Sequence, residues 1–216
     1  MKNILKSGIC AVLIGASGIL SSESITTPKN NLEIIASQGS FISPDRNYSL
    51  GRSPADFGFV LKNHEVPSND SYRDQYLGQH GWNIIEGMEQ EGNLQTLYDD
   101  YSIGMCKSVS DLLVSHLKNG EMVRLVGGGT PKSIVVDNNP ALTSTNELWL
   151  TSADMKDFAT KKDIAYSQKY TLRMTLVRAQ HKVYAFTMFY QQINKPQDAQ
   201  ANASYDDVLN SFHALK

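Results

Sequence analysis

Two alternating runs near the end of the chain, YTLRMTL and VYAFTMFY, carry the clearest pattern of apolar and polar positions. In the first, Tyr170, Leu172, Met174 and Leu176 share one face and Thr171, Arg173 and Thr175 the other, the period of a strand with one wet side. In the second, Tyr184, Phe186, Met188 and Tyr190 alternate with Val183, Ala185, Thr187 and Phe189. Both faces are apolar or nearly so, which predicts a central strand covered on both sides. The link through Arg178, Ala179, Gln180 and His181 is too short for a parallel crossover, so the two runs are predicted to pair antiparallel. A polar loop then leads to SYDDVLNSFHAL, where Ser204 and Asp207 stand at capping-box spacing. Tyr205, Val208, Leu209 and Phe212 form one helical stripe there, directed at the sheet.

Upstream, WNIIEGM, EMVRLVG, SIVVD and ELWLTS have the texture of strands, with a turn expected at Asn138, Asn139 and Pro140. LQTLY suits either a strand or a helix. Ser108 and Asp111 repeat the capping-box spacing. Val109, Leu112, Leu113 and Leu117 follow as a stripe that Asn119 and Gly120 would stop, so a helix is predicted to begin at Ser108. SADMKDFAT has room for one or two helical turns. Strand clusters interrupted by helices predict an α+β fold with a mainly antiparallel sheet.

Composition divides the chain in three. Lys2 and Lys6 precede an apolar segment with small polar residues after it, the layout of a signal peptide over residues 1–24, with cleavage after Gly18, Ser22 or Ser24. The uncharged run from Ser7 to Ser22 is shorter than the roughly 20 apolar residues of a membrane span, so no anchor is expected after cleavage and the product is expected to be periplasmic or secreted. Cys10 would leave with that segment. Residues 25–79 are rich in Ser, Asn, Pro and Asp and predict a polar arm or linker, in which the FGFVL island could add an edge strand. Residues 80–216 are expected to form a single α+β domain. A net charge of -2 and lysines and arginines scattered among acids argue against nucleic acid as a partner.

Candidate chemistry is sparse. Gly127, Gly128 and Gly129, followed by Thr130, Pro131, Lys132 and Ser133, superficially suggest a phosphate loop, but Pro131 stands where that motif needs glycine and a strand follows in place of a helix. The three glycines are kept as a candidate interaction loop. Cys106 is the one cysteine outside the signal segment. Placed just ahead of the helix predicted at Ser108, it is a candidate reactive thiol, its pKa lowered by the helix N-terminus. The alternative is a small buried residue. His64, His80, His116, His181 and His213 occur singly, with no metal-ligand spacing, and no GxSxG elbow is present. Asp99 and Asp100, beside Tyr98 and Tyr101, could line a polar pocket or lie in solvent. No cofactor, metal or catalytic set is expected.

The terminal hairpin, polar loop and helix ending in Ser211 and Phe212 resemble the Mog1/PsbP-like group of small α/β/α sandwiches, and residues 133–144, SIVVDNNPALTS, look like that group's central hairpin. The chain departs from the group's usual start, a strand leading through Pro to an aromatic, because no such Pro precedes Trp82. The resemblance implies an accessory or binding module without catalytic residues, with another protein as partner. The alternative from a different class is an exported hydrolase whose site is assembled from unpatterned residues near Asp99, Cys106 and the glycine loop.

Overall fold

The computed structural model describes residues 41–43, 46–52, 59–68, 71–78, 81–117, 120–152 and 166–215. The signal segment expected at 1–24 and the helical turns expected over 153–160 lie outside the described residues. The elements in chain order are β1 (Phe41–Ile42), β2 (Tyr48–Leu50), β3 (Phe59–Ser68), β4 (Ser71–Gly78), β5 (Gly81–Glu89) and α1 (Leu94–Val114). Next come β6 (Glu121–Gly128), β7 (Lys132–Val136), β8 (Asn139–Ser152), β9 (Tyr166–Ala179), β10 (Lys182–Gln191), α2 (Lys195–Ser211) and β11 (Phe212–Ala214).

The larger sheet runs β3-β4-β5-β10-β9-β8-β6, with β7 also paired to β8, and every pairing is antiparallel. The fold is α+β. β10 lies at the middle of this order, as its two apolar faces require, and the β9–β10 hairpin closes through Gln180 and His181 with Ala179 opposite Lys182. The β7–β8 hairpin turns one residue earlier than expected, at Asp137 and Asn138, whose φ values of 50° and 60° suit the tight turn that matches strand twist. A second sheet, β1-β2-β11, lies beside α2, and its Phe41, Tyr48, Leu50 and Phe212 join one core cluster with Tyr72, Tyr76, Tyr184 and Phe186. The opposite face carries α1 on a cluster that includes Leu172, Met174, Leu176, Val183, Ala185 and Phe189. Gly87 is required by this packing, since a Cβ there would lie 2.1 Å from the Tyr72 ring.

Four expectations change. Residues 59–68 and 71–78 of the expected arm form β3 and β4, hydrogen-bonded into the larger sheet, so that sheet includes strands from before residue 80. The polar look of β4 comes from Arg73 and Asp74, which are buried in pairs that hydropathy cannot register. α1 begins at Leu94, not Ser108: Asn93 caps it by accepting from the Gln95 amide at 2.8 Å, and Ser108 sits in the helix interior, donating to the Gly104 carbonyl. α2 begins two turns before Ser204, capped by Asn194 with Pro196 in its first turn, and yields to extended backbone at Phe212. The wet face expected on β9 is in fact covered by α2. Thr175 accepts from the Tyr205 hydroxyl at 2.9 Å, and Arg173 lies over the Tyr205 ring while donating to Asn202 and Asp206.

Among the described residues no helix is long and apolar enough to cross a membrane.

Candidate functional site

The sequence candidates do not converge. Cys106 lies in the interior of α1, half-buried against the core on that face, and burial pushes its thiol up. The correction follows from the helix start: with Asn93 as cap, the N-terminal dipole lies more than three turns from the sulfur. Cys106 is therefore expected to react with a thiol reagent more slowly at neutral pH than a free cysteine, with a rate that climbs only at more alkaline pH. A labelling rate that is already maximal at neutral pH would contradict the assignment.

Gly127 and Gly128 end β6, and Gly129 opens the link to β7. No residue of the triplet has a positive φ, a Cβ at Gly127 would meet nothing within 4 Å, and the Gly128 position faces Asn146 across the pairing. The phosphate-loop geometry is absent here because the backbone is that of a strand edge. Asp99 and Asp100 are exposed on α1, while their neighbours turn inward: Tyr98 donates to Ser144 at 2.5 Å and Tyr101 to Glu86 at 2.9 Å. Among the described residues no three of His, Cys, Asp and Glu gather as a metal would need. His213 pairs with Asp137, His116 is exposed at the end of α1, and His181 is in the β9–β10 turn.

Two buried polar clusters, neither visible in the sequence, flank β4 on opposite faces. On the α1 side, Arg73 Nε donates to Glu86 Oε1 at 2.5 Å, and Tyr101 bridges Glu86 Oε2 to Thr187 Oγ1. Burial and the nearby Glu86 carboxylate hold the Tyr101 phenol well above its usual range, so it is a donor at all ordinary pH. On the α2 side, Asp74 is fully buried and accepts from Tyr48 Oη and His64 Nδ1, each at 2.6 Å. Tyr76 Oη stands 2.5 Å from Tyr48 Oη. Burial first, then Tyr76 and Asp74, raise the Tyr48 phenol well above its usual range. The only sequence hint of either cluster was the Arg73-Asp74 pair inside an alternating segment.

The same corner carries an apolar row. Val60, Leu77, Trp82, Phe189 and Leu172 are successive cross-strand partners on β3, β4, β5, β10 and β9. Phe189 and Leu172 are covered within the α1-side core, with the Trp82 and Phe189 rings 5.5 Å apart. Toward the β3 edge the cover thins: Leu77 and Trp82 are half-buried, and Val60 is 57% exposed. The closest packing of α1 is with β6, β8 and β9, on the other half of the sheet. Such a row can hold an apolar side chain of another molecule; it offers no nucleophile.

No family model matches the chain, and no curated protein matches it. Among solved structures, the chain is similar to cyanobacterial PsbP (CyanoP) from Synechocystis sp. PCC 6803, at 12% identity and a TM-score of 0.47, over 81% of this chain and 91% of that one. It is also similar to a Bacteroides thetaiotaomicron protein, at 11% identity and a TM-score of 0.41, over 82% of this chain and 48% of that one. A third is the Saccharomyces cerevisiae Ran-binding protein Mog1p, at 12% identity and a TM-score of 0.39, over 81% of this chain and 94% of that one. PsbP and Mog1 are the two proteins that name the group resembled by the C-terminal sequence.

Proposed function

We propose that this chain is an exported, non-catalytic binding or accessory protein of the cell envelope or secreted fraction, acting by contact with another protein. The observation that carries the reading is the apolar row ending at Val60, which continues the core outward to the β3 edge and leaves a branched aliphatic side chain 57% exposed at its end. A contiguous apolar surface that runs from the core to an exposed sheet edge is one mark of a protein contact. Export is supported by the basic and then apolar pattern of residues 1–24. Cys106 lies inside α1 and burial pushes its thiol up, which argues against a cysteine hydrolase.

A photo-crosslinking residue at position 60 in the native host is expected to give a discrete protein adduct that is lost on Trp82→Ala. The same group at Asn210, on the exposed side of α2, is expected to give none. Equal adducts from both positions, or none from position 60, would remove the row as the contact. Fusion of residues 1–24 to a reporter active only outside the cytoplasm tests export separately, and a reporter that stays inactive would rule it out.

A further inference from the structure

Arg178, near the end of β9, carries a guanidinium that the fold leaves unused. Its Nε and Nη2 atoms are buried without a hydrogen-bond partner, and no hydrogen bond or ion pair among the described residues includes it. These two nitrogens form the edge of the fork that grips both oxygens of a carboxylate. A charged donor kept from water with no acceptor is costly, and the strand register shows what lies beside it. Arg178 stands opposite Val183 on β10, Pro140 is level with it on β8, and Pro140 in turn stands opposite Val135 on β7. Alternation puts this row on the α1 side, since Leu176 and Leu142 enter the core there while Val177 and Ala141 enter the other. Val135 is 72% exposed, Pro140 is exposed, Arg178 is half-buried, and Val183 is closed within the core. The row is therefore apolar at the hairpin edge and cationic at its inner end.

From this arrangement we propose that the Val135–Pro140–Arg178 row docks a segment of a partner protein in which a Glu side chain is flanked by aliphatic residues. The Glu carboxylate accepts from Nε and Nη2 of Arg178, and the aliphatic neighbours lie on Val135 and Pro140. Charge complementarity selects this occupant. A cationic segment would be repelled by Arg178, and a wholly apolar one would leave the guanidinium without an acceptor. Arg178 as a residue is only half-buried, so turning of its long side chain brings the fork to the incoming carboxylate without any change in β9. The proposal rests on the reading of the chain as a protein-binding module. It does not need the Val60 row, which crosses β10 at Phe189, about 20 Å along that strand from Val183.

The test is NMR titration of the purified chain with the peptide N-acetyl-Leu-Val-Glu-Val-Leu-amide, followed at the Arg178 Nε–H signal and the Val135 methyl signals. Both are expected to shift together and to saturate. The same peptide with Gln in place of Glu is expected to bind about tenfold more weakly or not at all. Arg178→Gln should weaken the Glu peptide by about tenfold, and Arg178→Lys, which keeps the charge but loses the fork, should recover only part of that loss. Removing a buried charge that has no partner should leave the melting temperature of Arg178→Gln unchanged or raised. A clear fall would mean that the fold itself uses the guanidinium, and would overturn the proposal. Val135→Ser, at an exposed position, should weaken the Glu peptide without loss of fold, which keeps the test decisive if Arg178→Gln does not fold. Equal binding of the Glu and Gln peptides would assign the row to an apolar ligand, and an equal shift with acetate alone to a free anion. A shift that grows with protein concentration in the absence of peptide would assign it to a second copy of this chain. Each of these overturns the proposal, as does no shift at all. A failure here with a successful crosslink at position 60 would remove this row and leave the protein-binding reading in place.

Discussion

Phe212→Ala is expected to destabilise the protein by about 3–5 kcal/mol, the usual cost of emptying a fully buried aromatic position. The ring is 1% exposed and lies 4.9 Å from Phe186, 5.0 Å from Tyr184 and 6.0 Å from Tyr48, so it joins β2, β10 and the end of α2 at one point. Its backbone also caps α2, donating to the Leu209 carbonyl, and opens β11, which pairs with β2. The chain can collapse little into the gap, because two of the three rings around it are held by hydrogen bonds: Tyr48 to Asp74, and Tyr184 to the Asn47 carbonyl. Urea unfolding at constant slope is the measurement, and a loss below about 1 kcal/mol would mean that the second sheet does not rest on this ring. Truncation before Ser204 extends the same expectation, since it removes Tyr205, Val208 and Leu209 as well.

Arg73→Met is the second large effect, expected at about 3–5 kcal/mol, because it leaves the Glu86 carboxylate buried without its guanidinium. The Arg73 and Glu86 side chains are only 9% and 7% exposed, so solvent screens the pair little. Tyr101 would still donate to Glu86, but one neutral hydroxyl does not replace a charge-assisted bond. The double variant Arg73→Met with Glu86→Met should recover most of the loss, since two apolar side chains of similar volume carry no desolvation penalty. If the double variant is no better than the single one, the cost lies in packing of α1 on β5 and not in the orphaned charge. The two predictions concern opposite faces of the sheet and should add when combined.

The elements whose burial is one-sided or complete by hydropathy were legible in the sequence. β9 and β10, their antiparallel pairing and the central place of β10 follow from period two over long apolar runs. The stripe Tyr205, Val208 and Leu209 is buried as its spacing demands. Helix starts were less legible, because Ser108 and Ser204 each mimic a cap within a helix that Asn93 and Asn194 begin earlier. β3 and β4 were hidden for another reason. A strand such as SYRDQYLG gains its place through Arg73 with Glu86 and Asp74 with His64, partners found on other strands.

The candidate site was almost wholly illegible for that same cause. Cys106 and Gly127–Gly129 stand out in the sequence as a lone thiol and a glycine run, yet Cys106 sits inside α1 and the glycines end β6, on elements other than β2, β3 and β4. Tyr48 and Asp74 are far apart in the chain and meet only when the second sheet closes over β4.

By itself the sequence determined the local pattern: an α+β chain with a central apolar strand, a sheet-facing terminal helix and a basic then apolar start. Periodicity and composition are local properties, and local physics suffices for them. Only the tertiary structure decided which polar residues are buried, where the helices begin and which apolar row is left partly bare. Those outcomes depend on contacts between distant segments, whose free energy no single stretch of the chain carries.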